Sequence, residues 1–90
     1  MADELEIRVV DLIADTAKLD RDLVRPESSF EELGIDSLDG ANILFAIEDD
    51  FDIYIAYEPE QLQGFTVGQA IDAVRRLVAE RAAAEAATPG

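Results

Sequence analysis

The chain has 90 residues, 49% hydrophobic and 31% charged, which predicts one globular domain over residues 1–90. It has 21 acidic and 7 basic residues, which give a net charge of −14. This charge disfavours binding to nucleic acids and anionic membranes and favours binding to basic proteins. Histidine and cysteine are absent, so the chain alone cannot assemble a Ser-His-Asp or Cys-His nucleophile or a His/Cys metal site.

The distribution of apolar residues predicts a protein without a membrane segment. The first residues, Met1–Glu4, are acidic and lack the basic start and apolar run of a signal peptide. No apolar run approaches the roughly 18 residues that cross a bilayer. We therefore expect a cytoplasmic protein with no membrane insertion.

The first predicted helix covers Glu4 to about Ala17, where apolar residues recur at helical spacing. The segment Lys18–Pro26 breaks this spacing, and Pro26 argues against a helix that continues there. The segment Ser28–Glu32 has the spacing of a capping box and predicts one short turn. Gly34 is well placed to end that turn.

The second predicted helix begins at Asp36 or Ser37, with Asp36 as its cap, and ends near Asp50 or Phe51. One face carries apolar residues expected in the core: Ile43, Leu44, Ile47 and Phe51. A neighbouring apolar stripe consists of Leu38, Ala41 and Phe45.

The rest of the chain predicts an extended loop, a short helix and a last long helix. Residues 52–56 form the loop, and Pro59 starts a short helix through Leu62. Thr66–Gln69 is a capping box that starts the last helix, which we expect to fray near Ala82 into a disordered tail over residues 83–90. The predicted fold class is all-α, a four-helix bundle of three longer helices and one short helix.

The acids are concentrated in the middle of the chain. From Glu31 to Glu60 there are ten acidic residues and neither Lys nor Arg. A solvated acidic surface and a docking face for a basic partner both fit this charge pattern. The apolar stripe beside the acids favours docking. A large apolar side chain such as Phe45, placed away from the core face of its helix, is typical of a surface that another protein covers.

Neither a metal site nor a glycosidase pair fits these acids. Asp50 could start a calcium loop, but Ile55 occupies the position that requires glycine, and Gln61 the position that requires glutamate. Paired carboxylates for glycoside hydrolysis need a cleft that so short a chain hardly provides. We expect no metal and no catalytic residue.

Ser37 is the remaining candidate for chemistry. If Asp36 caps the helix, the Ser37 hydroxyl lies in the first turn and can point outward. A phosphate on it would lie beside the positive end of the helix dipole and unpaired backbone N–H groups. The site suits a phosphodiester made by another enzyme, since the chain holds no base to activate the hydroxyl.

The sequence resembles the acyl carrier protein family over nearly its whole length. The resemblance rests on Gly34-Ile35-Asp36-Ser37-Leu38-Asp39, followed by Ala46-Ile47-Glu48-Asp49-Asp50-Phe51. It implies a non-catalytic carrier with the fold expected above. Ser37 then matches the serine to which a phosphopantetheinyl transferase attaches 4′-phosphopantetheine from coenzyme A, and the thiol of this covalent cofactor holds acyl groups as thioesters.

The resemblance also implies roles for other residues. Asp36 and Leu38 match positions beside the attachment serine. The expected partner contacts, for the transferase and for chain-building or acyl-transferring enzymes, are Asp39, Ala41, Phe45, Glu48 and Asp49. The positions that line the core, where the family can shelter an acyl chain, are Ile43, Ile47, Phe51, Ile71 and Val74.

Two alternatives remain open from the sequence. An aminoacyl or peptidyl carrier would use the same serine, although Asp36 argues against it. An unmodified acidic interaction module would use Ser37 only as a helix cap. We expect a monomer, because the helices can cover one core and no long heptad seam is present. The acyl group and the pathway, whether fatty-acid, polyketide or other lipid synthesis, do not follow from the sequence.

Overall fold

The protein folds as a small helical domain. A computed structural model describes residues 3–56 and 64–87, with side chains through residue 84. These ranges contain the α-helices α1 (Glu4–Ala17), α2 (Ser37–Phe51) and α3 (Val67–Ala87), and a 3₁₀ helix at Arg21–Leu23. Helix α1 packs against both α2 and α3, and α2 also packs against α3.

Local capping interactions explain where the helices begin and end. The Asp3 carboxylate caps α1 by accepting a hydrogen bond from the Glu6 N–H at 3.0 Å. Lys18 ends α1 in the left-handed region, with φ of 57°. At the start of α3, the Thr66 N–H donates to the Gln69 side chain at 2.8 Å and the Gln69 N–H donates to Thr66 Oγ1 at 3.1 Å. The predicted capping box therefore forms.

The core lies between the three helices and is entirely apolar among the described residues. The largest side chains that are fully buried are Phe30, Ile13, Ile43, Leu44, Ile47, Val9, Val67 and Val74. Each such aliphatic or aromatic side chain contributes about 1.5–3 kcal/mol by leaving water. Burial of these side chains holds the helices together.

The segment before α2 is fixed to the start of α3. An isolated antiparallel bridge joins Ser29 and Thr66. The Phe30 N–H donates to the Phe65 carbonyl at 2.8 Å, and the rings of Phe30 and Phe65 meet edge to face with centroids 5.6 Å apart. A Cβ at Gly68 would lie 3.0 Å from the Pro26 carbonyl oxygen, so glycine permits this close approach.

Most of the predicted elements are confirmed. The first two helices have the expected limits, and residues 53–56 form a loop without regular secondary structure. The 3₁₀ helix was not predicted. The predicted short helix from Pro59 to Leu62 lies outside the described residues. Helix α3 continues to Ala87, past the expected point of fraying, because alanine is the strongest helix former.

Within residues 3–56 and 64–87, no helix is both long enough and sufficiently apolar to cross a membrane.

An ion pair joins the start of α1 to α3 and predicts a pH dependence of stability. Arg75 Nη1 on α3 lies 2.5 Å from Asp3 Oδ2. The Arg75 hydrogen bond, helped by the Glu6 N–H, lowers the pKa of Asp3 from 3.8 to about 2. Because the folded-state pKa is depressed, the stabilisation is fully present above about pH 4 and disappears as the pH falls to about 2.

We therefore expect Asp3→Asn to lower the urea midpoint at neutral pH, because asparagine still caps α1 but lacks the charge that binds Arg75. The difference from the wild type should shrink between about pH 4 and about pH 2. Urea unfolding followed by circular dichroism across this range measures the difference. A difference that stays constant with pH would contradict the assignment.

Candidate functional site

Ser37 is the first residue of α2 and lies on the surface. Asp36 precedes it in an extended conformation, and Asp36 Oδ1 accepts a hydrogen bond from the Asp39 N–H at 2.8 Å. The prediction that Asp36 caps this helix is confirmed. Because the cap is supplied by its neighbour, the Ser37 hydroxyl is not needed to satisfy the helix terminus.

The three serines of the chain have different environments. Ser29 is half-buried, and its Oγ accepts from the Glu32 N–H at 3.1 Å and donates to Glu32 Oε1 at 3.1 Å. Ser28 is also half-buried, and its carbonyl accepts from the Val67 N–H at 2.9 Å. The Ser37 hydroxyl is exposed and has no hydrogen-bond partner within the described part of the chain. Of the three, Ser37 is the one that is exposed.

The backbone immediately before Ser37 is held firmly. The turn that starts with the Ser29–Glu32 capping box ends at Gly34, whose φ of +75° suits glycine. Ile35 then enters the core, and its N–H donates to the Phe30 carbonyl at 2.9 Å. Because Ile35 is anchored two residues before Ser37, the serine projects from a fixed point.

An exposed apolar stripe follows Ser37 along α2. Leu38 and Phe45 are each 70% exposed. Seven residues of α-helix separate them by about 10.5 Å on the same face of the helix. Ala41 lies between them and is half-buried, while Asp39 and Asp49 are exposed. The last helix, α3, therefore does not cover Phe45.

Arginines from the other helices neutralise the end of α2. Arg8 on α1 forms an ion pair with Asp50, and its guanidinium lies 4.6 Å from the centre of the Phe51 ring. Arg81 on α3 pairs with the Asp52 carboxylate at 2.6 Å. The negative charge of the sequence segment that lacks Lys and Arg is therefore partly neutralised by arginines from the other helices.

The acids nearer the exposed stripe are different. The side chains of Asp39 and Asp49 have neither an ion pair nor a hydrogen bond with any described residue. Together with Leu38 and Phe45 they form a surface that is both apolar and negative, which we call the α2 surface. This combination is typical of a face that meets a basic protein.

Glu48 differs from the other predicted contact residues. It is half-buried, and its Oε2 accepts a hydrogen bond from the Ile55 N–H at 2.7 Å. This bond ties the segment after α2 to the helix. The sequence alone gave no sign of it.

The residues expected to line the core are in the core or at its edge. Ile43, Ile47 and Val74 are fully buried, and Ile71 is nearly so. Phe51 is half-buried beneath Arg8 and packs against the same cluster. These side chains come from α2 and α3, so an apolar chain held between those helices would touch them.

Among the described residues, no group of three or more His, Cys, Asp and Glu side chains is arranged to hold a metal ion.

Comparisons with known proteins identify a family for this chain. The family model for the phosphopantetheine attachment site matches residues 8–74. An acyl carrier protein of Chlorobium phaeovibrioides is 39% identical over 70 residues, which cover 77% of this chain and 88% of that protein. The acyl carrier protein AcpXL of Rhizobium meliloti is 48% identical over 52 residues, 57% of this chain and 55% of AcpXL. The match thus spans about half the length of AcpXL.

The role of Asp36 as a cap can be separated from its charge. We expect Asp36→Ala to lower the free energy of unfolding by about 1 kcal/mol, because the Asp39 N–H loses its acceptor. Asp36→Asn should stay within a few tenths of a kcal/mol of the wild type, since asparagine caps about equally well. Urea unfolding measures both variants. Equal losses in the two would show that the charge, and not the cap, stabilises α2.

Proposed function

Because the chain belongs to the acyl carrier protein family, we propose that it carries acyl intermediates on a 4′-phosphopantetheine group attached to Ser37. The observation that carries the proposal is the exposed Ser37 hydroxyl, which has no partner among the described residues, at the start of a helix capped by Asp36. The chain would be a carrier without catalytic activity, and a substrate of a phosphopantetheinyl transferase.

The residues around Ser37 fit a phosphodiester at this position. The first turn of α2 leaves backbone N–H groups unpaired, and the positive end of the helix dipole favours a negative group there. Asp36 accepts from the Asp39 N–H and so takes up one of these donors, while it fixes the start of the helix. When bound, the phosphopantetheine supplies the thiol on which acyl groups are held as thioesters.

The α2 surface would be the docking face for partner enzymes. Asp36, Leu38 and Asp39 adjoin the attachment serine, and Ala41, Phe45 and Asp49 extend the face along the helix. Exposed apolar side chains would supply contact area, and the unpaired acids would attract a basic patch. Such contacts are brief and small in area when a carrier, here a monomer, must leave each partner in turn.

The buried residues of α2 and α3 would surround the acyl chain. Ile43, Ile47, Phe51, Ile71 and Val74 offer apolar contacts and, at these positions, no charge. An acyl chain between the helices would replace contacts among these side chains. A dedicated lipid or polyketide pathway and general fatty-acid synthesis are both compatible with this arrangement, as is a cytoplasmic location.

Modification of Ser37 is tested by intact mass. The wild type, incubated with coenzyme A, magnesium and a promiscuous phosphopantetheinyl transferase, should gain the mass of one phosphopantetheine. Ser37→Ala should gain nothing and should remain folded, because the side chain is exposed. Ser28→Ala is the matched control and should load like the wild type. An unmodified wild type that is shown to be folded would support the acidic interaction module instead.

The docking face is tested by a charge reversal. Asp49→Lys should raise the KM of the transferase for the carrier roughly threefold to tenfold at low salt, and less at high salt, because it replaces an attraction by a repulsion. Asp15→Lys is the control, since Asp15 is an exposed acid on α1 and its replacement changes the net charge by the same amount. Equal effects of the two variants would show that only overall charge matters.

The cargo distinguishes an acyl carrier from an aminoacyl or peptidyl carrier. Once loaded, the carrier should accept acyl groups from acyltransferases in preference to amino acids from adenylating enzymes. Mass spectrometry after incubation with each class of donor gives the answer. Preferential loading with an amino acid would reassign the carrier.

A further inference from the structure

Glu48 is placed differently from the acids on either side of it along α2. Its side chain is half-buried, whereas Asp49 and Asp50 are exposed. Its carboxylate turns towards the segment after the helix, where Oε2 lies 2.7 Å from the backbone nitrogen of Ile55. When a partner protein approaches, this carboxylate is therefore already hydrogen-bonded to a backbone amide of the carrier.

Glu48 makes two separate contacts with the chain after α2. Asp52 ends the helix in the left-handed region, with φ of 56°, which reverses the chain direction. The Ile53 N–H then donates to the Glu48 carbonyl at 3.0 Å, and the Ile55 N–H donates to the Glu48 carboxylate. The backbone and the side chain of one residue thus hold two alternate amides of the following segment.

The second of these contacts decides which side chain enters the core. Ile55 is 5% exposed and belongs to the same apolar cluster as Ile43 and Ile47. Tyr54, its neighbour, is 77% exposed. Ile53 is half-buried and Ala56 is exposed, so burial alternates along the segment, and fixing the Ile55 amide helps to fix which residue faces inward.

We propose that Glu48 is a positioning residue, which holds Ile55 in the core through its carboxylate, and that partner enzymes do not bind its charge. The hydrogen bond is the function of the side chain here. Because glutamine has the same length and a carbonyl oxygen at the same place, it can accept the Ile55 N–H without a charge, in a weaker hydrogen bond than the carboxylate forms. Aspartate is one methylene shorter, and alanine offers no acceptor.

The surrounding charges support this interpretation. Asp49, Asp50 and Asp52 lie within four residues of Glu48, so a further negative charge at this position is electrostatically unfavourable. Arg8 and Arg81 pair with Asp50 and Asp52, and neither forms an ion pair with Glu48. The side chain is retained in this position by its hydrogen bond with the Ile55 amide, for which a neutral acceptor can also serve.

Three variants separate positioning from docking: Glu48→Gln, Glu48→Ala and Asp49→Asn. The first readout is amide hydrogen exchange at Ile55, which requires neither a cofactor nor a partner. We expect Glu48→Ala to speed exchange at Ile55 about tenfold, which corresponds to about 1.4 kcal/mol, because the amide loses a hydrogen bond with a charged acceptor. Glu48→Gln keeps a neutral acceptor and should speed exchange less, by about threefold.

The second readout is the KM of a phosphopantetheinyl transferase for the carrier, and it rests on the proposed function. Asp49→Asn should raise this KM by about twofold to fivefold, because it removes an exposed charge. Glu48→Gln removes the same formal charge one residue earlier and should leave KM unchanged.

Unchanged exchange at Ile55 in Glu48→Ala would overturn the proposal, because the carboxylate would then not hold this amide. A KM for Glu48→Gln that rises as far as that of Asp49→Asn would also overturn it, since the charge would then be bound by the partner. If the wild type were never loaded, the proposed function would fail, while the exchange experiment would still decide the role of Glu48.

Discussion

The arrangement of the protein depends on how α2 is oriented in the bundle. Ile43, Leu44 and Ile47 are removed from water together, and this burial allows only one rotation of the helix about its axis. Once that face is inside, Leu38 and Phe45 must lie outside, and Ser37 begins the helix at the surface. The hydrophobic core therefore determines the position of the candidate attachment site as well as the stability of the fold.

The distribution of charge follows from the same packing. A net charge of −14 opposes compaction, and the middle of the sequence contains no base to offset it. The fold brings Arg8 and Arg81 from α1 and α3 to Asp50 and Asp52 at the end of α2. Asp39 and Asp49 lack such partners among the described residues, so negative potential remains beside the exposed apolar stripe. As a result, the acids at the end of α2 are paired with arginines of the same protein, while the acids beside the apolar stripe remain accessible to a basic partner.

Sequence patterns predicted those features that depend on neighbouring residues. The Asp36 cap, the Thr66 capping box, the end of the turn at Gly34 and the limits of α1 and α2 are set within a few positions of the chain, and each is confirmed. Burial of the predicted core residues also followed from helical spacing. Ser37 was identified because its exposure follows from the neighbouring cap, and the family resemblance then suggested its chemistry.

Features that depend on contacts between distant segments could not be predicted in this way. The Arg8–Asp50 and Arg81–Asp52 pairs join positions 42 and 29 residues apart, and they require the final register of the helices. The Glu48–Ile55 bond spans only seven residues, but it depends on the reversal at Asp52, and nothing in the run of acids distinguishes Glu48 from Asp49. The 3₁₀ helix at Arg21–Leu23 has no periodic signal, because it is too short to show one.

The central claim is that the environment of Ser37, and not merely the presence of a serine, makes it the attachment site. The most direct measurement is tandem mass spectrometry of peptides from the protein purified from its natural source, which assigns the modification to a residue. The account predicts phosphopantetheine on Ser37 and none on Ser28 or Ser29, which are half-buried and lie within hydrogen-bonded structure. Phosphopantetheine on either of those serines, or a chain unmodified in its source, would contradict the account.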